Sequence, residues 1–174
     1  MNLNPSDTMK HLIIILALSM LIGLKSWAGD SNAIGQEPRL TYVMELKVTC
    51  AEPFSCGTTS RGHRVVIPIT GGTFEGPNIR GEVLSGGADY QYVDSQAGRT
   101  ELEAIYCIRT DDGVNIHVRN CGLLCVADGA PYFRTAPRFE APRDSRYNWL
   151  NDAIFVCVPR VADGYISLKV WKVE

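Results

Sequence analysis

A chain of 174 residues, 45% apolar and 21% charged, has the length and composition of one globular core and not of a disordered segment. Seventeen basic against nineteen acidic side chains give a formal charge of −2 at pH 7. No basic face is available to neutralise phosphates, which excludes a nucleic-acid partner, and the charges are interspersed as on a solvated surface.

The chain opens with Lys10 and His11 ahead of an apolar, uncharged run from Leu12 to Leu24, followed by Lys25-Ser26-Trp27-Ala28. That order predicts a cleavable signal peptide over residues 1–28, with Ser26 and Ala28 as the small residues before the cut. The apolar run is shorter than the ~20 residues that span a bilayer, so no stable membrane anchor is expected. No cysteine follows the run for lipid attachment, and Met9 makes a more typical start than Met1. Without residues 1–28 the chain would keep 15 basic and 18 acidic side chains. The expected location is exported, periplasmic or secreted.

Residues 29–38 read as a polar, flexible lead-in, and residues 39–174 as the single folded domain. In Leu40–Val48 the residues Leu40, Tyr42, Met44, Leu46 and Val48 share one face, opposite Thr41, Glu45 and Lys47. This period of two predicts a half-buried strand. His63–Ile69 repeats the pattern, and Pro68, which has no N–H to give, predicts an edge or bulge there. Glycines at 71, 72, 76, 81, 86 and 87 punctuate short predicted strands at Thr73–Glu75, Ile79–Leu84 and Asp89–Val93. Glu101–Thr110 and Val114–Asn120 flank Asp111-Asp112-Gly113, a hairpin turn. Leu102, Ala104, Tyr106, Ile108, Ile116 and Val118 are its predicted inward residues, and Asn120 shares their phase. Tyr132–Phe139 is a further strand, Pro142–Asn151 holds at most one helical turn, and Ala153–Val161 with Tyr165–Val173 forms the last hairpin. No window after residue 28 sustains a helical apolar period. The prediction is an all-β fold, a single antiparallel up-and-down β-barrel of lipocalin-like or calycin-like type with few or no helices. A sandwich is the alternative.

Six cysteines, Cys50, Cys56, Cys107, Cys121, Cys125 and Cys157, all follow the predicted signal. In an exported chain an even number predicts disulfides, although six allow 15 pairings and the sequence does not choose among them. Proximity favours Cys50 with Cys56 and Cys121 with Cys125, leaving Cys107 and Cys157. Zinc is disfavoured, because Cys121-x3-Cys125 has no second ligand pair and His63 and His117 stand alone. No metal is expected.

The segment Ile67–Gly87 (IPITGGTFEGPNIRGEVLSGG) with Ala88-Asp89 carries a resemblance. So do Thr110-Asp111-Asp112-Gly113, Val118-Arg119-Asn120-x-Gly122, Tyr132-Phe133-Arg134-Thr135-x-Pro137-x-Phe139-Glu140 and Tyr147-x-Trp149-Leu150-Asn151. In this order, over nearly all of residues 39–174, they resemble the family called domain of unknown function 3237. The resemblance implies one antiparallel barrel with a central cavity and attaches no general activity to it. Many members of that family lack an export signal and are cysteine-poor, and the Cys121–Cys125 stretch replaces one that is usually rich in Arg and Gly.

Three side chains stand out as candidates for chemistry. Asn120, on the apolar face of its strand, needs partners and can orient a ligand or stabilise a developing oxyanion. Arg134, among Tyr132, Phe133 and Phe139, can pair with a carboxylate or enolate, or with Glu140 or Glu82 in a structural bridge. Asp89, after Gly86-Gly87-Ala88, can act as a general base if burial raises its pKa, or is simply a turn residue. Arg80, Tyr106, Trp149 and Asn151 are candidate ligand contacts. Arg80 reads equally as a strand-pairing charge and Tyr106 as core, while Tyr147, Trp149 and Asn151 read equally as a plug closing one barrel end. There is no Gly-x-Ser-x-Gly elbow, phosphate loop or dinucleotide fingerprint, so no cofactor is expected. Two functions fit. One is a cofactor-independent isomerase or lyase acting on a small carbonyl or aromatic compound. The other is a binding protein for a small apolar ligand. Either has a small molecule as its partner and leaves homo-oligomerisation open.

Overall fold

The computed structural model describes residues 37–127 and 130–174. The predicted signal peptide, the alternative start at Met9 and residues 29–36 of the lead-in lie outside the described residues. Ten strands follow: β1 (Leu40–Cys50), β2 (Phe54–Thr59), β3 (Gly62–Glu75), β4 (Arg80–Val83), β5 (Ala88–Asp94), β6 (Arg99–Thr110), β7 (Asn115–Ala127), β8 (Ala130–Glu140), β9 (Ile154–Ala162) and β10 (Tyr165–Val173). Among the described residues one short 3₁₀ helix, Asn148–Asp152, precedes β9. It is the one helical turn that the polar Pro142–Asn151 stretch had room for.

All pairings are antiparallel, in the order β1-β10-β9-β8-β7-β6-β4-β3-β2, with β5 between β3 and β6. β1 also pairs with β3, from Glu45↔Glu75 to Cys50↔Ile69, and this ladder closes the sheet on itself. β4 and β5 share one place between β3 and β6, and β2 carries on along β3 where β1 leaves it. The result is an up-and-down barrel of eight strand positions, as the alternation and hairpin turns predicted. A sandwich would leave two pairs of open edges, which the β1–β3 ladder removes.

Three details depart from the pattern read in the sequence. β2 was not foreseen, because Phe-Ser-Cys-Gly-Thr-Thr carries no alternation and is exposed almost throughout. The predicted strand Thr73–Glu75 is the end of β3, which bends through Gly71-Gly72 without breaking. In β1, Leu40 and Tyr42 are exposed, whereas Val43 is buried beside Met44. The cause is a bulge between Tyr42 and Met44 against β10, which flips the phase by one residue.

Gly72 shows how tightly the bend is drawn. Its φ is +136°, and a Cβ placed there would run into the Lys47 carbonyl of β1. Gly72→Ala is therefore expected to cost on the order of 1–3 kcal/mol. Urea unfolding should show a lower midpoint at unchanged slope; an unmoved midpoint would show that the backbone is free to relax there.

The apolar core fills one half of the barrel. Met44, Leu46, Phe74, Ile108, Ile116 and Phe155 are all within 2% of full burial, and Leu150 of the 3₁₀ helix joins them. Phe139 meets Phe155 edge to face at 5.0 Å, and Trp149 lies tilted on Phe155 at 6.2 Å. Asn151 fixes this plug by accepting from the Ala141 N–H at 2.8 Å and donating to the Ala141 carbonyl at 2.9 Å. The 3₁₀ helix thus covers one end of the barrel.

Candidate functional site

The open half encloses a cavity of about 380 Å³. Inward residues one or two alternations further along each strand form its wall: Val48 from β1, Ile67 from β3, Leu102 and Ala104 from β6, Phe133 from β8, Leu168 from β10. Polar side chains interrupt this apolar lining at few places. Asp89 stands opposite Ala104, and Ala104 opposite Asn120, so the three make one inward row across β5, β6 and β7. Two strand spacings separate Asp89 from Asn120, about 9.5 Å between Cα atoms. Ala104, the residue between them, carries only a methyl group. Thr135 faces the same cavity from β8.

These polar groups are short of partners. Asp89 Oδ1, Asn120 Oδ1 and Thr135 Oγ1 are buried from water and make no hydrogen bond. Asn120 is 4% exposed and Thr135 6%. A buried polar group left without a partner costs roughly 1–3 kcal/mol. The other Asp89 oxygen, Oδ2, accepts from Gln91 Nε2 at 2.7 Å. Burial pushes the Asp89 carboxyl above the usual carboxylate range, against the hydrogen bonds from Gln91 and from the Glu103 backbone. Burial likewise raises the Tyr106 phenol. Cys157 lies beside Thr135 across the β8–β9 pair, and burial lifts its thiol to about 11 against the pull of the neighbouring Thr135 hydroxyl.

The raised carboxyl gives a stability signature. Asp89 binds its proton more tightly folded than unfolded, so its contribution is intact below the unfolded pKa and lost as pH rises through the folded one. Asp89→Asn cannot ionise and is expected to melt a few degrees above the natural chain at pH 8, the gap shrinking toward pH 4. The other titratable groups facing Asp89, Cys50 from β1 and Tyr106 from β6, are both raised by burial and ionise above that window. Melting curves across pH check it; a gap that widens in acid would contradict the placement of Asp89.

Of the residues singled out in the sequence, the structure brings Asp89, Asn120 and Tyr106 together on one cavity. Arg134 is a correction: it is exposed, donates to the Phe133 carbonyl at 2.7 Å and lies over the Tyr132 ring at 5.5 Å. Phe133 and Thr135 point inward, so the residue between them must point out. Arg80 is also corrected, since it is exposed and paired with Asp111 at 2.8 Å. Trp149 and Asn151 belong to the plug at the sealed end. Thr135 and Gln91 were missed, although the phase of Tyr132–Phe139 carried the signal for Thr135. Reading Arg134 by its aromatic neighbours instead of by that phase concealed it.

The expected disulfides are not seen, all six cysteines being unbridged in this structure. Cys121 and Cys125 lie four residues apart on β7, about 13 Å between Cα atoms at strand rise, where a bridge needs less than about 7 Å. Cys50 pairs with Ile69, and Cys56 sits in the bulge opposite Val65 and Arg64, a similar distance further along β3. Cys107 points out of the wall, between inward Tyr106 and Ile108, while Cys157 is buried in the core.

A model of the family described as protein of unknown function DUF3237 matches residues 38–173. A UPF0311 protein of Clostridium acetobutylicum is 36% identical over 154 residues, covering 80% of this chain and 96% of its own. The crystal structure of a β-barrel-like protein from Acinetobacter baumannii superposes with a TM-score of 0.75 at 29% identity, over 80% of this chain and 98% of that one. A hydroalkoxylation enzyme of Penicillium herquei is 26% identical over 168 residues, which is 91% of this chain and all of that enzyme.

Proposed function

This chain belongs to the DUF3237 family, and from that premise we propose that it is a cofactor-independent enzyme acting on a small carbonyl or aromatic compound held in the barrel. The observation that carries this is the row of Asp89 and Asn120 with unpaired oxygens on an otherwise apolar wall. Perturbed carboxyls in enclosed cavities are characteristic of acid–base sites. A relative that performs hydroalkoxylation supports an addition or elimination at a carbon–carbon double bond.

The steps available to these residues balance without a cofactor. Asp89 in its protonated form, which burial favours, gives its proton to the substrate's unsaturated carbon or carbonyl oxygen. A substrate hydroxyl forms the new C–O bond and returns its own proton to the Asp89 carboxylate. Run backwards, the same transfers eliminate the hydroxyl. The Asn120 amide orients the hydroxyl, and the apolar wall excludes water from the reacting carbon. Arg134 and Arg80 take no part, since neither faces the cavity.

The alternative is a binding protein without turnover, favoured by how little besides Asp89 in the lining can move a proton near neutral pH. A panel of hydroxyl-bearing enones and alkenyl phenols, assayed for isomeric product, separates the two. Product formed by the natural chain and lost in Asp89→Asn supports catalysis. Tight binding with no product, unaffected by Asp89→Asn, makes it a binding module. Export through residues 1–28 is part of the same proposal, tested by finding Gly29 as the N-terminus of protein recovered outside the cytoplasm.

A further inference from the structure

The lining of the cavity restricts the charge and functional groups of what enters it. Among the described residues none of its side chains is Lys, Arg or His. The arginines of the surrounding strands are engaged outside the wall: Arg119 with Glu103, Arg80 with Asp111, Arg134 with its neighbouring carbonyl. A carboxylate or phosphate drawn into this space would lose its water and gain no counter-charge, and burying an unpaired charge is prohibitive. An ammonium would have Asp89, but one Asp89 oxygen is already committed to Gln91 and the rest of the wall solvates no charge.

An uncharged group with both hydrogen-bond roles fits differently. Asn120, more than nine-tenths buried, holds an oxygen with no partner, and so does Asp89. A hydroxyl can donate to the Asn120 carbonyl or accept from its amide. It can also donate to an ionised Asp89 or accept from a protonated one. Ala104, the small residue between Asp89 and Asn120 in the row, is where such a group would reach both.

We infer that the ligand class is an uncharged, mainly apolar molecule of one or two rings bearing a hydroxyl group, which binds between Asp89 and Asn120. This rests on the cavity being a small-molecule site and names what that site takes. Recognition comes from the hydroxyl, and the body of the molecule lies against Leu102, Phe133 and Leu168.

Four probes of one shape test it by calorimetry at pH 7: 2-naphthol, naphthalene, 2-naphthoate and 2-naphthylmethylammonium. Naphthol is expected to bind at least about tenfold more tightly than each of the others, the size of one good buried hydrogen bond. In Asn120→Leu that advantage over naphthalene should fall below about threefold while naphthalene still binds. If Asn120→Leu does not fold, Ala104→Val, which narrows the gap, should likewise shrink the advantage. Naphthoate or the ammonium binding as tightly as naphthol would overturn the class and leave the cavity standing as a site. Failure of all four, with side chains filling the cavity in a crystal structure, would overturn the proposed function as well.

Discussion

Asp89→Asn is expected to lower kcat by about 10²–10⁴-fold, the usual contribution of one positioned acid–base group. The substitution keeps the shape of the side chain and can keep the bond from Gln91, which donates to Asp89 Oδ2 at 2.7 Å. It removes only the proton that the carboxyl can give and take back. KM should change far less than kcat, because the hydroxyl still has Asn120. The pH profile adds a second readout. With Asp89 acting first as an acid from a raised pKa, kcat in the natural chain falls as pH rises through that value, and the residual rate of the variant loses this limb. Steady-state kinetics on any substrate found with the panel measures both. An unchanged kcat would remove Asp89 from the chemistry and turn the cavity into a binding site.

The largest effect on stability is expected at the other end of the barrel. Phe155 is 1% exposed and touches Phe139 edge to face at 5.0 Å, with Trp149 tilted against it at 6.2 Å. Truncating a buried phenylalanine to alanine costs about 3–5 kcal/mol, from lost transfer energy and the hole that remains. In a domain of this size that lowers Tm by roughly 10–20 °C. Because the plug and the cavity occupy opposite halves, Phe155→Ala should still bind ligand with near-natural affinity at temperatures where it is folded. Calorimetric melting and a binding isotherm at low temperature check the two claims separately. A Tm loss of only a few degrees would mean that the sealed end is loosely packed. Equal damage to binding would mean that core and cavity are one unit.

That division of the barrel decided which sequence signals could be read. Hairpin turns were legible because Asp111-Asp112-Gly113 and Ala162-Asp163-Gly164 place glycine where the chain needs a positive φ, 85° at Gly113 and 78° at Gly164. The last strand, Tyr165–Val173, matched residue for residue, since turn and alternation agreed there. The Val43 bulge was not legible, for a bulge is set by the partner strand and leaves no mark on composition. Asn120 and Asp89 could be found as polar residues beside apolar runs, yet nothing local said that they share a row. Arg134 shows the converse: its neighbours in sequence are aromatic, but alternation sends it to solvent. Cys121 and Cys125 looked close along the chain and are held apart by an extended backbone.

By itself the sequence determined the all-β class, the turns and the inward phase of most strands, because these follow from the period of two and from local backbone preferences. Only the tertiary structure decided that β1 closes on β3, that aromatic residues fill one half and leave the other hollow, and that Asp89, Ala104 and Asn120 stand side by side. Those are matters of register between strands distant in sequence. Register is fixed by the burial of whole faces and the placing of bulges, so it belongs to the closed sheet and not to any segment of it.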